Sequence, residues 1–554
     1  MRDLVARLAA LTACILVGCD SGTPSDPAAA ASATPANVAR QTVAAGDWPA
    51  YNRTLAGDRY SPLDEINRGN VAQLQAVCTY TLPEVVSLQT GPVVIAGTMY
   101  FTTDTRSYAV DAATCAEKWQ VERIGERRSP LGAHRGFAYL DGRLFRGTAD
   151  AHVLALDASD GRTLWDREID VNAPGVSMPM APIAANGLVF VGNAGGDQTG
   201  VTGHVYAFDA EDGSVVWRFD VAPDDAAVRA TWPNADRLPV TGGAFWTSFT
   251  LDAEHGVLYV PAGNPAPDFD VDARGGDNLY TNSIIALDAA TGRIVGYNQI
   301  VKRDNHDWDV NSPPALATTR AGRAIVASAN KDGLLSVLDR TALATDAPAT
   351  GTADLSARLP IVYQVPTTTR ENVEVPLSRT EPVRFCPGIL GGNEWNGAAF
   401  HPGVNALFTG AVDWCATVQL LEEVAVPSAG AIWFGSTPGD IQGPPSEAKG
   451  WVTAFDADTG AVKWKFAAPA PVVAAVTPTA GGLLFSADQQ GGLRAFDAES
   501  GAVLWQLDTG QSIGGGIVSY AAAGRQRIAV ASGMKSPIWP GAAEQSRILV
   551  FGLR

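Results

Sequence analysis

One short unit recurs along the chain and narrows the folds open to it. It reads SYAVDAATCAEKW (107–119), VLALDASDGRTLW (153–165), VYAFDAEDGSVVW (205–217), IIALDAATGRIVG (284–296), VTAFDADTGAVKW (452–464) and LRAFDAESGAVLW (493–505), with a degenerate copy LSVLDRTALA (335–344). Each copy opens on the alternation of a half-buried β-strand. An Asp-Ala-x-x-Gly turn follows in nearly every copy; the Asp carboxylate accepts turn N–H groups and the Gly supplies a positive φ. A second strand then ends on Trp, a flat ring suited to packing between stacked sheets. Asp111 to Asp157 is 46 residues, Asp157 to Asp209 is 52 and Asp456 to Asp497 is 41, which fits one four-stranded sheet per repeat. Longer gaps, such as Asp209 to Asp288, hold insertions. These features predict an all-β propeller, and with 57 Gly and 35 Pro there is little room for long helices.

Composition then removes whole classes of function. Lys and Arg number 40 against 58 Asp and Glu, a formal charge of −18, so no basic surface for nucleic acid is expected. Residues 1–18 carry a basic start (Arg2, Arg7) and a short apolar run, Leu8–Val17, too short to span a bilayer and suited to a signal peptide. The run closes as Leu16-Val17-Gly18-Cys19, which resembles the bacterial lipoprotein cleavage box. The expected outcome is cleavage before Cys19 and lipidation of its thiol, with an ordinary secretory signal as the alternative. Residues 19–45 then form a Ser-, Thr-, Pro- and Ala-rich tether, and residues 46–554 the folded domain. The expected location is the periplasm, anchored to a membrane by lipid; which membrane stays open, Asp20 hinting at the inner one.

The cysteines follow from that compartment. Cys14 leaves with the signal and Cys19 carries lipid, leaving Cys78, Cys115, Cys386 and Cys415 under oxidising conditions. Four thiols allow three pairings, of which neighbouring strands favour Cys78–Cys115 and Cys386–Cys415. No C-x-x-C occurs, which argues against a metal knuckle and removes a c-type haem attachment site.

The repeats resemble the tryptophan-docking units of the quinoprotein alcohol dehydrogenases, eight-bladed propellers that bind pyrroloquinoline quinone (PQQ). The opening Trp48-Pro49-Ala50-Tyr51, the Gly57-Asp58-Arg59-Tyr60-Ser61-Pro62-Leu63 stretch, and then Ile66-Asn67, Asn70-Val71 and Leu74 look like that family's first segment. Gly263-Asn264-Pro265-Ala266-Pro267, His306-Asp307-Trp308-Asp309 and Trp539-Pro540-Gly541 match further landmarks in order. The resemblance implies an eight-bladed fold and oxidation of an alcohol or sugar. In the family a cation, usually Ca²⁺, sits beside the quinone, held by two carboxylates and an Asn amide, a hard-oxygen set. By alignment these are Asp197, Asn264 and Asp309, with Asp197 standing where a Glu is usual. Asn311 stands where the lanthanide-using branch has a further Asp, which favours Ca²⁺.

Asp309 also matches the family's base, placed to take the substrate hydroxyl proton while hydride leaves. Lys331 matches a cation near the reactive oxygens, suited to developing negative charge. Arg135 matches the arginine that binds the cofactor's carboxylates. Trp246 matches the ring stacked on the cofactor, and Trp539 a pocket residue. Glu394 aligns with an Asn that contacts the quinone, and Gln89 with a Glu. Ser129-Pro130 replaces the paired cysteines many relatives place over the cofactor, Pro179 and Ala244 replace hydroxyl-bearing residues, and Val473 replaces a pocket Trp. With no haem site, electrons are expected to pass to a separate cytochrome or similar acceptor. Two other readings share the anchor and repeats: a non-catalytic scaffold like that of outer-membrane barrel assembly, and a sensor that binds a PQQ-like ligand without turnover. Neither the substrate nor the oligomeric state follows from the sequence.

Overall fold

A computed structural model of the chain describes residues 43–129, 131–169, 174–344, 351–439 and 441–554. The expected signal peptide at 1–18, Cys19, the tether up to residue 42, and Pro130 lie outside the described residues. The rest forms eight four-stranded antiparallel sheets and one two-stranded sheet, with only short helices between them. The eight-bladed propeller expected of the family is therefore the observed fold.

Seven blades are built from consecutive strands, except that the sixth takes in the small sheet as an insertion. The eighth is composite. Its three inner strands, Ile513–Ala522, Arg525–Ser532 and Arg547–Gly552, come from the end of the chain, and its outer strand, Gln75–Thr81, comes from the beginning. Gln75 pairs with Gly552 and Thr81 with Arg547, so hydrogen bonds between the two ends close the ring. A closed ring leaves no inter-blade face unburied.

The repeat explains how blades adhere. In each turn the Asp side chain accepts backbone N–H groups, as Asp209 does from Glu211 and Asp288 from Ala290. The Trp ending one unit crosses to the next blade's turn. Trp119 Nε1 donates to Ala158 O at 3.1 Å, Trp165 to Ala210 O at 3.2 Å, Trp217 to Ala289 O at 3.0 Å and Trp464 to Ala498 O at 3.1 Å. The turn glycine has a second duty beyond its positive φ. A Cβ at Gly292 would stand 2.5 Å from the Trp217 ring, and one at Gly161 2.8 Å from Trp119, so the ring needs a bare backbone to lie on. Where the fourth blade ends on Gly296 instead of Trp, Leu343 packs over it. Tyr363 takes the Trp role on the fifth blade, donating from its hydroxyl to Ala457 O at 3.0 Å.

Both expected disulfides are formed. Cys78–Cys115 ties the outer strand of the eighth blade to the first blade's turn, and Cys386–Cys415 brackets the small sheet of Val383–Phe385 and Ala416–Val418. Cys115 occupies the position of the turn glycine, with φ of 60°.

Candidate functional site

An up-and-down blade opens the segment before its first strand and the link between its second and third strands toward the same mouth of the ring. Every expected site residue lies on such a segment. Gln89, Arg135, Trp246, Asp309 and Glu394 precede the first strands Val93–Ile95, Ala138–Leu140, Thr250–Asp252, Ala315–Thr318 and Ala399–His401. Asp197, Asn264, Lys331 and Trp539 lie in second-to-third-strand links. Topology alone therefore gathers residues separated by hundreds of positions.

Asp309 is the hub. Its Oδ1 accepts from the Asn264 backbone N–H at 3.0 Å and from Trp246 Nε1 at 3.4 Å; its Oδ2 accepts from Lys331 Nζ at 2.9 Å. The Lys331 backbone N–H also donates to Asp309 O. The turn that presents Asp309 is shaped by Asp304, whose carboxylate accepts from the N–H groups of His306 and Trp308. Lys331 is buried; burial opposes its charge, but Asp307 and Asp309 outweigh that and hold its pKa well above the ordinary lysine value. The ammonium expected at the quinone oxygens is thus engaged by two carboxylates, Asp307 at 3.2 Å and Asp309.

Beside this hub sits a second group. Asp197 keeps an edge in solvent, yet burial, and then the Asp309 charge, pushes its carboxyl up to about 6; the adjoining Asn264 side chain tempers the rise. Carboxylate oxygens of Asp197, Asp268 and Asp307 lie within 4.8 Å of one another. The sequence predicts Asp197, Asn264 and Asp309 as the ligand set; Asp307 appears there only within the His306–Asp309 motif, and Asp268 not at all. Their only linear signal is proximity, Asp268 four residues past Asn264 and Asp307 two before Asp309.

Arg135 meets the hub through Trp246, which also donates to Asp309. The Arg135 guanidinium lies over the rings of Trp246, at 4.8 Å, and Trp395, at 5.2 Å, and donates to Trp246 O. Burial lowers its pKa to about 10. Glu394 accepts from Asn311 Nδ2 at 3.3 Å, and burial raises its carboxyl to about 8, so it is neutral at pH 7. Trp395, Trp539, Val473 and Met534 form an apolar cluster against which Trp246 packs. Gln89 is buried and donates to Ser87 Oγ, and among the described residues it makes no side-chain hydrogen bond to the other site residues.

Several buried polar atoms here have no protein partner at hydrogen-bond geometry: Gln89 Oε1, Arg135 Nε, Asn264 Nδ2, Asp268 Oδ1 and Oδ2, and Glu394 Oε1. Buried polar groups are normally satisfied, so these orphans, part of a larger set spread through the described residues, leave room at this mouth for a polar ligand. The oxygen donors suit a hard cation. A guanidinium, a neutral carboxyl and flanking indoles suit a flat, carboxylate-bearing ring. The residues present fit both PQQ and its companion ion.

A tryptophan-docked propeller with an acid–lysine hub and orphaned donors at one mouth is the architecture of a quinoprotein oxidoreductase. Residues 48–342 match the family described as glucose/ethanol/alcohol dehydrogenase, β-propeller domain, and the chain belongs to that family. Residues 405–535 match the outer membrane protein assembly factor BamB family, over a stretch that holds the docking repeats at Trp464 and Trp505. The chain is 29% identical over 550 residues to quinohemoprotein alcohol dehydrogenase ADH IIB of Pseudomonas putida, covering 92% of this chain and 78% of that one. It is 28% identical over 532 residues to a lanthanide-dependent methanol dehydrogenase of Methylacidiphilum fumariolicum, covering 88% and 85%. The solved quinohemoprotein alcohol dehydrogenase of Comamonas testosteroni superposes with a TM-score of 0.82 at 26% identity, covering 94% of this chain and 81% of that one.

Proposed function

We propose that this chain is an exported, lipid-anchored quinoprotein dehydrogenase that oxidises an alcohol or sugar using PQQ and a hard, oxygen-preferring cation of the Ca²⁺ kind, and passes electrons to a separate carrier. The observation that carries the reading is Asp309: a buried carboxylate gripped by Asn264, Trp246 and Lys331 from three different segments at one mouth. Relatives named as quinohemoprotein alcohol dehydrogenases support the alcohol substrate. Export, the anchor and the separate carrier rest on the sequence of the first 19 residues and on the absence of a C-x-x-C motif.

The chain's own residues divide the work. Asp309 accepts the hydroxyl proton of the substrate at its carboxylate, and Lys331 stabilises that carboxylate and the negative charge that develops beside it. Arg135 binds carboxylate groups, while Trp246 and Trp395 fix its plane. Glu394, neutral at pH 7, donates its proton in a hydrogen bond that a carboxylate would not supply. Asp197, with the Asn264 amide beside it, would take part in holding the cation. Trp539, Val473 and Met534 keep water from the apolar side. PQQ, when bound, supplies a two-electron acceptor for the hydride.

The test is to mix the purified protein with PQQ and Ca²⁺ and record the quinone spectrum and dye reduction across alcohols and aldoses. Binding with turnover, lost in Asp309→Asn while the fold and the spectrum persist, supports the proposal. Spectral binding without turnover in the native protein points to a sensor instead, and no binding at high cofactor to a scaffold. Unchanged activity in Asp309→Asn removes Asp309 from its role.

A further inference from the structure

Among the described residues, Asp268 is a fully buried acid whose carboxylate stands without a hydrogen-bond partner at either oxygen. The nearest cation, Arg274, does not pair with it; Arg274 spends its guanidinium on the backbone carbonyls of Pro267, Asp268 and Asp304 and on Asn278 Oδ1. A buried carboxyl group left without hydrogen-bond partners is costly, and the charge of Arg274 offsets only part of the burial and the repulsion from Asp197 and Asp307.

The backbone nevertheless holds Asp268 in place. The Asp268 N–H donates to Trp433 O at 3.2 Å, while the Trp433 N–H donates to Asp197 O at 2.7 Å. One buried residue from the long link of the sixth blade thus pins together the links of the third and fourth blades. The same strap is paired to the Asp197 loop again, through Gly430 N–H to Thr199 O and Thr199 N–H to Ala431 O. Asp307 arrives from the segment before the fifth blade with φ of 60°, a conformation that costs a non-glycine residue energy. The result is the Asp197–Asp268–Asp307 trio, with oxygens within 4.8 Å. Lys331 makes close ion pairs with Asp307 and Asp309 and acts on Asp197 through its charge. Asp197, Asp268, Asp307 and Asp309 therefore meet a single ammonium.

We infer that Asp268 is a cation ligand and that the trio Asp197–Asp268–Asp307 seats the ion, leaving Asp309 to Lys331 and Trp246. This deepens the dehydrogenase reading and rests on it for the ion's role, but the ligand set stands on the geometry alone. Three carboxylates converging on one point favour a hard ion, and a trivalent one over Ca²⁺, because each added anionic ligand rewards charge on the metal.

The experiment uses the full-length protein stripped of metal and titrated with Tb³⁺, reading emission sensitised by indole. Trp246, Trp308 and Trp433 lie on the segments that build the trio, so this readout favours the site over scattered surface acids. Competition with Ca²⁺ gives the second affinity. Asp268→Asn should weaken Tb³⁺ binding by about tenfold or more, weaken Ca²⁺ binding less, and add about one metal-bound water in the emission lifetime, since one ligand oxygen is lost. Unchanged Tb³⁺ affinity and hydration overturn the inference. So does an Asp268→Asn chain that melts below the native one without metal, which would make Asp268 a structural residue. PQQ uptake in the same samples separates the two readings. Tb³⁺ binding that depends on Asp268 without PQQ uptake defeats the dehydrogenase and keeps the ligand; PQQ uptake with an indifferent Asp268→Asn does the reverse.

Discussion

Replacing Glu394 by Gln isolates one buried proton. Burial raises this carboxyl to about 8 from an ordinary 4.5, with Asp309 adding to the rise and Lys331 and Arg135 opposing it. The folded protein therefore keeps a proton that the unfolded chain has lost between those two values. For such an acid, stability is fully present below the unfolded pKa and is lost as pH rises through the folded one. Each unit of the gap is worth about 1.4 kcal/mol, so the whole window is worth roughly 5 kcal/mol at most. Other buried acids titrate in the same range, Asp332 near 7 among them, so the native slope alone identifies nothing. The difference between native protein and Glu394→Gln does. Denaturation of both in chelator, at pH 5 and pH 8, should show the native chain losing about 3–4 kcal/mol more than the variant over that interval, the part of the window those two pH values span. Equal losses would mean that Glu394 is already ionised at neutral pH, and its role as a hydrogen-bond donor to the cofactor would fall with it.

Three further outcomes are expected. Trp217→Phe leaves the Ala289 carbonyl without its donor inside a blade interface, and thermal melts should show a loss of about 1–3 kcal/mol. Cys415→Ser opens the Cys386–Cys415 bridge, spanning a sequence separation of 29, and should cost about 3 kcal/mol, read by chemical denaturation with and without reductant. Arg135→Met removes the cation stacked on Trp246 and Trp395, and PQQ affinity should fall about a hundredfold, the value of two charge-assisted hydrogen bonds partly offset by relief of a buried charge, read by titrating the quinone spectrum.

The fold was legible in the chain because its rule is local. Asp, Gly and Trp in one short unit state both the turn and the seat for the neighbouring blade, so the contacts seen at Trp165 and Trp217 follow from spacing. The exception also had a local sign, Gly296 in place of Trp, but its substitute, Leu343, belongs to the next blade and could not be read from the repeat. In the site, Asp197, Asn264 and Asp309 carried motif neighbours, and the structure brings them together. Asp307 sits inside the His306–Asp309 motif and Asp268 just past the Gly263–Pro267 motif, yet neither reads as a ligand there, because Asp268 is marked out only by its missing partners and by the approach of Trp433 from more than a hundred residues away. Burial without satisfaction is a property of three dimensions, and no linear pattern expresses it. Lys331 shows the same limit: its position was readable, but its capture by Asp307 depends on a left-handed turn.

The composite eighth blade sets an order of events. Strand Gln75–Thr81 is made early, yet its hydrogen-bonding partner, Arg547–Gly552, is made more than four hundred residues later. Until then the early strand has an exposed edge and the circle stays broken, whatever the other blades have achieved. The Cys78–Cys115 bridge can form sooner, since both residues belong to the opening of the chain, and it would keep the waiting strand docked on the first blade. Any truncation that removes the last dozen residues should therefore yield an unsealed horseshoe, prone to joining its bare edge to that of another molecule.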